Sequence, residues 1–310
     1  MNSAPVRLAI AGLGKIARDQ HVPALQASDD FALTATVDPT AEPLEGVAHF
    51  PSLAALLESD CAVDAVSICT PPQMRYPIAH QALTAGLHVL LEKPPCATTA
   101  EVVALAQTEN AAGGTLFAAW HSRYAAGVAP AKEWLAGKTI LSVAITWRED
   151  VRVWHPGQPW IWQAGGFGVF DPGINALSIA TEILPRPLMV RGGTLQFPAN
   201  CEAPVSGQVM LEDSAGVPVT LDLDFLQAGP QTWDIEVTTT EGMLTLQKGG
   251  SILVTPAGTL AGEDREYPAI YDHFAQAIRS GRSVVDAAPL QLVADSFLRC
   301  HTKRVAEFHE

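Results

Sequence analysis

Val6-Arg7-Leu8-Ala9-Ile10-Ala11-Gly12-Leu13-Gly14-Lys15-Ile16-Ala17 is the stretch on which the fold turns. Six mostly apolar residues make a short strand, two glycines turn the chain, and the segment running on to Leu25 carries apolar positions at helical spacing. Strand, glycine turn and helix in that order open a βαβ unit. There the pattern Gly12-x-Gly14-x-x-Ala17 lets backbone approach a pyrophosphate, and the helix N-terminus offers it unpaired N–H groups. Asp38 closes the second strand, about 20 residues further on, where a carboxylate can accept from the hydroxyls of an adenosine ribose. Taken singly, the glycines also fit a ligand-free tight turn, and Asp38-Pro39 a turn opener. Together they favour a dinucleotide site.

Outward from this opening the alternation continues. A strand is expected at Phe31–Val37, a helix over 52–58 with Ser52 as N-cap, and a strand over 64–69 ended by Thr70-Pro71-Pro72. A helix over 73–85 closes at Gly86, a strand follows over 87–91, a helix over 98–112 stops at Gly113-Gly114, and a strand covers 116–120. Such spacing implies a doubly wound parallel sheet, an α/β domain. Past about residue 122 the rhythm changes. A helix over 129–136 precedes a long strand over 140–149, a helix starts at Asp171-Pro172, and residues 188–254 hold Val-, Thr-, Leu- and Ile-rich runs between turns. That pattern predicts a large, mostly antiparallel sheet in an α+β domain, closed by two helices over 267–280 and 290–308. The expected division is 1–122 for dinucleotide binding and 123–310 for substrate binding and oligomerisation.

The 310 residues carry 19 Lys+Arg against 33 Asp+Glu, a net charge of −14, which repels phosphate backbones and anionic lipid and so argues against nucleic-acid and membrane partners. A composition 48% hydrophobic and 17% charged excludes disorder for the bulk of the chain. The early apolar run Leu8–Leu13 falls far short of the ~18 residues of a spanning helix and has no signal-peptide flanks, so a cytoplasmic protein is expected. Five scattered cysteines without a C-x-x-C pair read as small buried residues of a reducing compartment. With the histidines equally dispersed, no bound metal is expected.

Three further stretches carry chemistry. Glu92-Lys93-Pro94 follows a buried strand and so stands at the carboxyl end of the sheet, where open α/β folds bind ligands. A lysine beside a positive nicotinamide suits acid–base or hydrogen-bonding work; at a solvated strand end it would do neither. Asp171 and Asn175 are four residues apart and can face one ligand from a first helical turn, although Asp171-Pro172 is also what an N-cap followed by proline at N1 looks like. Trp154-His155-Pro156-Gly157-Gln158-Pro159-Trp160-Ile161-Trp162 concentrates three of the seven tryptophans, close after Trp147 and Glu149. Indole faces interleaved with hydrogen-bonding groups suit a sugar, and equally a loop pinned onto a sheet. His121 and Trp233, taken singly, read as core residues.

With these residues in place, the chain resembles the glucose–fructose oxidoreductase, inositol dehydrogenase and rhizopine-catabolism family over essentially its whole length. G-x-G-x-x-A, C-T-P-P at Cys69–Pro72, E-K-P at Glu92–Pro94 and G-G-x-G-x-x-D at Gly165–Asp171 match in order and spacing. The stretches Gly14–His21, Arg148–Gln158 and Gly168–Ile179 resemble the subgroup of aldose 1-dehydrogenases acting on L-arabinose and D-galactose. The resemblance implies a Rossmann domain holding NAD, or NADP, through Gly12, Gly14, Lys15, Ile16, Ala17, Asp38, Thr70, Pro71, Glu92 and Lys93. It makes Lys93 and Asp171 the catalytic pair and lines the sugar site with His121, Glu149, Trp154, His155, Asp171, Asn175 and Trp233. Most members of the family carry a histidine where Asn175 stands, and an amide cannot be the base. The subgroup shares that departure. The implied reaction oxidises the C1 hydroxyl of a pyranose to an aldonolactone, with Asp171 as base and Lys93 on the C1 oxygen, or the reverse, in an expected homodimer joined through the C-terminal sheet. A family oxidoreductase acting at another carbon or carbonyl, and a non-catalytic sensor of cofactor and sugar, are the alternatives.

Overall fold

The computed structural model describes residues 4–309 and divides into two compact units. The first takes the chain through Trp120 together with Tyr267–Ala287; the second takes His121–Glu266 and the chain from Ala288 onward.

In the first unit β1 (Val6–Ala11) leads through a π-helical turn at Ala17–His21 into α1 (Val22–Gln26). Then come β2 (Phe31–Val37), the short β3 (Ala48–Phe50) and α2 (Leu53–Leu57), whose Ser52 N-cap accepts from Ala55 N–H as expected. The unit continues with β4 (Ala65–Ile68), α3 (Pro72–Thr84), β5 (His88–Glu92), α4 (Thr99–Ala112) and β6 (Leu116–Ala119). All strand pairs are parallel, in the order β3-β2-β1-β4-β5-β6. The order reverses between β1 and β4, the place where open α/β sheets take their ligands. β4 and β6 are buried along their whole length, which is why they read as continuous apolar runs. Gly12 leaves β1 at φ +89, and a Cβ there would stand 2.7 Å from Thr70 N, so glycine alone permits the turn.

The second unit opens with α5 (Val128–Leu135) and the nine-residue β7 (Ile140–Arg148), followed by the short α6 (Val151–Trp154) and by α7 (Phe170–Ile183). Strands β8 (Leu188–Pro198), β9 (Ser206–Asp213), β10 (Pro218–Asp224), β11 (Thr232–Thr239), β12 (Gly242–Gln247), β13 (Ile252–Thr255) and β14 (Gly258–Ala261) build the sheet. After α8 (Glu266–Ser280) and α9 (Ala288–Arg299), β15 (His301–Val305) completes it. The order is β14-β13-β12-β11-β7-β10-β9-β8-β15, antiparallel except for β10 on β7 and β15 on β8. β7, at its centre, alternates buried Val143, Ile145 and Trp147 with more exposed neighbours, the period of a sheet covered on one face.

The structure corrects the sequence reading in four places. The final helix stops at Arg299, and the exposed, polar His301–Val305 adds to β8 as an edge strand, where no buried face imposes an apolar pattern. The chain passes between units at Trp120/His121 rather than at 122, and Tyr267–Ala287 returns to the first unit. It returns because α8 puts Tyr271 and Phe274 against Phe31, and Phe274 against Phe117 as well, completing the parallel sheet's core. Helix α7 begins at Phe170 with Val169 as its N-cap, so Asp171 is a first-turn residue and not the cap. All five cysteines are free, but Cys61 and Cys300 are half-buried rather than buried. No helix among the described residues is long and apolar enough to cross a membrane.

Phe274 is fully buried between Phe31 and Phe117. Phe274→Ala is expected to cost about 3–5 kcal/mol of stability, read from the denaturant midpoint of the full chain. A loss under about 1 kcal/mol would mean that α8 does not close this core.

Candidate active site

In the first unit the ends of three strands meet around buried polar groups. Thr70, just after β4, keeps its Oγ1 buried without a hydrogen-bond partner, and a Cβ on Gly14 would meet nothing within 4 Å. An open edge beside an unsatisfied hydroxyl is what a turn built to receive phosphate oxygens and ribose should show. Ile16 is exposed there, Ala17 is buried, Lys15 pairs with Asp19, and Pro71 caps α3. Asp38 uses its carboxylate on the backbone: Oδ2 accepts from Leu13 N–H at 2.9 Å, and Oδ1 from the N–H groups of Thr40 and Ala41, both at 2.9 Å. Burial opposes its ionisation, but these N–H donors outweigh burial and hold the carboxyl below the ordinary aspartate range. Oδ2 takes one such donor and has a lone pair left for a ribose hydroxyl. These residues fit a dinucleotide.

Arg75 of α3, only 4% exposed, is a residue that motif reasoning missed. Its Nε donates to the Thr70 carbonyl at 2.8 Å and its Nη1 to the carbonyls of Glu92 and Pro94, so one guanidinium gathers the turns that follow β4 and β5. The Glu92 carboxylate is buried, and its Oε2 accepts the Lys93 main-chain N–H at 2.6 Å.

In the second unit Glu149, just past β7, is 2% exposed and accepts from Trp233 Nε1 at 2.8 Å. Its other oxygen lies 3.1 Å from His155 Nε2, and His155 Nδ1 stands 3.7 Å from Asp171 Oδ2, an ion-pair distance rather than a hydrogen bond. One imidazole thus stands between two buried carboxylates. Trp154 packs on Trp233 with ring centroids 4.9 Å apart, and Trp147 flanks Trp233 at 6.0 Å, giving the polar cluster an indole wall. Asp171 reaches this place because the Gly165–Gly168 run threads past the preceding loop; a Cβ on Gly166 would stand 2.0 Å from the Trp160 carbonyl. Asn175 follows one turn later on α7.

Of the residues expected around a sugar, Glu149, Trp154, His155, Asp171 and Trp233 come together. His121 is held by Glu266, Nδ1 to Oε2 at 2.5 Å, a partner 145 positions away that no local motif announces. The tryptophan-rich segment divides: Trp162 turns to Phe225 and Phe308, in a groove shared with Pro159, Asn200 and Glu202. Among the described residues no group of three or more His, Cys, Asp or Glu could hold a metal ion.

Comparison with known proteins gives three findings. The model of the glucose–fructose oxidoreductase, inositol dehydrogenase and MocA proteins, described as an oxidoreductase family with an NAD-binding Rossmann fold, matches residues 6–119. A galactose 1-dehydrogenase of Pseudomonas fluorescens is 45% identical over 307 residues, 99% of either chain. Among solved structures, a D-galactose-1-dehydrogenase from Rhizobium etli superposes with a TM-score of 0.95 at 49% identity, covering 100% of this chain and 99% of that one. A 3-ketoreductase from Actinomadura kijaniata, at 22% identity and a TM-score of 0.84, shares the fold.

The donors on Asp38 carry a pH consequence. A carboxyl more acidic when folded stabilises the fold above the unfolded value of about 3.9, and the contribution is lost as pH falls through the lower folded value. Unfolding midpoints of Asp38→Asn and the parent, followed from pH 6 down to about pH 3, are therefore expected to converge at the acid end. A difference that stays constant over that range would show that ionised Asp38 does not brace the turn.

Proposed function

Since the chain belongs to the glucose–fructose oxidoreductase, inositol dehydrogenase and MocA family of oxidoreductases, we propose that it is a cytoplasmic aldose 1-dehydrogenase. Its substrates in this reading are D-galactose and L-arabinose in pyranose form, oxidised at the C1 hydroxyl to the aldonolactone. The observation that carries the reading is the whole-chain likeness to a galactose 1-dehydrogenase. The indole-walled cluster of Glu149, His155 and Asp171 supports it, because it offers flat apolar faces for C–H groups and acceptors for hydroxyls.

The family's cofactor is a nicotinamide dinucleotide, and NAD is the form proposed. The Gly12–Ala17 turn, Thr70 and Pro71 would hold its phosphates and Asp38 its ribose, with Glu92 and Lys93 at the end of β5. A 2′-phosphate would meet Asp38 charge to charge, and Pro39 brings no guanidinium to offset it. When bound, the cofactor would supply the hydride acceptor, so the C1 hydrogen leaves together with the two electrons of its bond. Asp171 takes the hydroxyl proton, while Lys93 hydrogen-bonds the C1 oxygen and orients it. His155, between Asp171 and Glu149, keeps the two carboxylates apart in one geometry. Asn175, Glu149 and His155 read the other hydroxyls, with Trp154 and Trp233 as walls, and His121, tied to Glu266, borders the site. A second copy of the chain is proposed to dock on the nine-stranded sheet, where Leu141, Met189, Met210 and Met243 are exposed.

A sugar panel followed by cofactor reduction tests the reading. D-Galactose and L-arabinose share their hydroxyl arrangement from C1 to C4, so both are expected to turn over with NAD. D-Glucose, inverted at C4, is expected to fall by about 10²-fold or more in kcat/KM. Equal use of glucose would sink the pocket; turnover at another carbon, or none with any sugar, would favour the two alternatives. NADP matching NAD would sink the role of Asp38.

Asp171→Asn and Lys93→Ala are each expected to lower kcat by about 10²-fold or more. Asparagine matches aspartate in shape, and residue 171 is not the helix cap, so an Asp171→Asn protein that melts like the parent and lacks turnover isolates the proton transfer. Parental turnover would leave Asp171 structural.

A further inference from the structure

The steps above give no part to the buried partners of Glu92, which stand behind Lys93. The Glu92 carboxylate, 2% exposed, receives the Tyr267 hydroxyl at 2.6 Å and His21 Nε2 at 3.2 Å on Oε1, and the Lys93 main-chain N–H at 2.6 Å on Oε2. His21 is fully buried, and its Nδ1 lies 2.7 Å from the Tyr271 hydroxyl, itself 3.0 Å from Ser67 Oγ. The π-helical turn, β4, β5 and the first turns of α8 each contribute to this network. Burial disfavours charge on His21, but Cys69, Tyr271 and Glu92 outweigh it and hold the imidazole well above its ordinary value.

We infer that Glu92 is a positioning residue for Lys93: His21 and Tyr267 fix its carboxylate, and the carboxylate fixes the main-chain N–H from which the Lys93 side chain departs. The inference rests on the role proposed above for Lys93. A strand end in a dry core needs no ion pair, and buried polar groups are often replaceable by apolar ones at no loss of stability. What apolar groups cannot do is hold one N–H at one point, and a displacement of about 1 Å at a reacting group can cost about 10²-fold in rate. Arg75 supplies the other half of the clamp, taking the carbonyls of Glu92 and Pro94 on either side of Lys93.

Tyr267→Phe is the mild test, since it deletes one hydroxyl and keeps the ring. In the full chain with saturating D-galactose and NAD, kcat is expected to fall about fivefold in Tyr267→Phe and about 10²-fold in Glu92→Ala. Glu92→Gln, which keeps an acceptor for the N–H, is expected to recover most of that loss. KM for sugar, Kd for NAD and the melting temperature of Tyr267→Phe should stay near parental values, and exchange of the Lys93 amide hydrogen should accelerate by about tenfold. Parental kcat in both Tyr267→Phe and Glu92→Ala, or unchanged amide exchange in Tyr267→Phe, overturns the inference. If Glu92→Ala fails to fold, Tyr267→Phe and Glu92→Gln decide. If instead Lys93→Ala turns over like the parent, or no sugar is oxidised, the role of Lys93 has failed and not the network. The amide exchange then decides whether Glu92 holds that N–H.

Discussion

At residue 12 there is no room for a side chain: a Cβ would stand 2.7 Å from the main-chain nitrogen of Thr70 and 2.9 Å from the Cys69 carbonyl carbon. β1 and β4 can end this close together because one of them turns on glycine. That approach places the Leu13 N–H, the Asp38 carboxylate and the Thr70 hydroxyl around one edge of the sheet. Arg75 then draws the β5 turn to the same edge through the carbonyls of Thr70, Glu92 and Pro94. Lys93 is thus placed by main-chain hydrogen bonds made on each side of it, which tolerate far less drift than a long side chain on a free loop would.

The second unit solves a related problem differently. It brings two carboxylates, Glu149 and Asp171, to one place and keeps both almost wholly buried. Two buried acids need partners: Glu149 has the indole N–H of Trp233 and the His155 ring at 3.1 Å, and the same imidazole stands 3.7 Å from Asp171. The tryptophan therefore has two uses: its ring is a wall, and its N–H satisfies an acid. Position 175 carries an amide; the imidazole beside Asp171 comes from the loop after α6, sixteen residues before Asp171 in the chain.

The parallel sheet was legible because inner strands such as β4 are buried on both faces and its helices carry ordinary start and stop signals, Ser52 and Thr98 at N-caps and Gly113 in the left-handed conformation at a C-cap. The glycine turn, and the places of Lys93 after β5 and Asp171 in the first turn of α7, were legible for a different reason, since each sits in a short local motif. What escaped was long-range or unpatterned. β3 and β15 are short, half-buried or exposed edge strands with nothing to impose an alternation. The partners His21, Tyr267 and Tyr271 stand up to 250 residues apart, and a tyrosine on the apolar face of α8 looks like any other core residue until its hydroxyl is found on a carboxylate. Asp171-Pro172 has the look of a helix start, yet the helix begins a residue earlier, where the tight glycine run ends.

The return of α8 to the parallel sheet also sets an order of events during synthesis. Chains are made from the N-terminus at about 5–20 residues per second, and domains made of contiguous sequence can fold as they emerge. The first unit here cannot, because Tyr271 and Phe274, which cover Phe31 and Phe117, are made more than 150 residues after β6. Until α8 emerges, one face of its core lacks its lid and is open to misassociation. The second unit likewise waits for α9 and β15. Neither unit is complete until the segment from α8 to β15 has been made, so the two halves are committed to maturing as one chain.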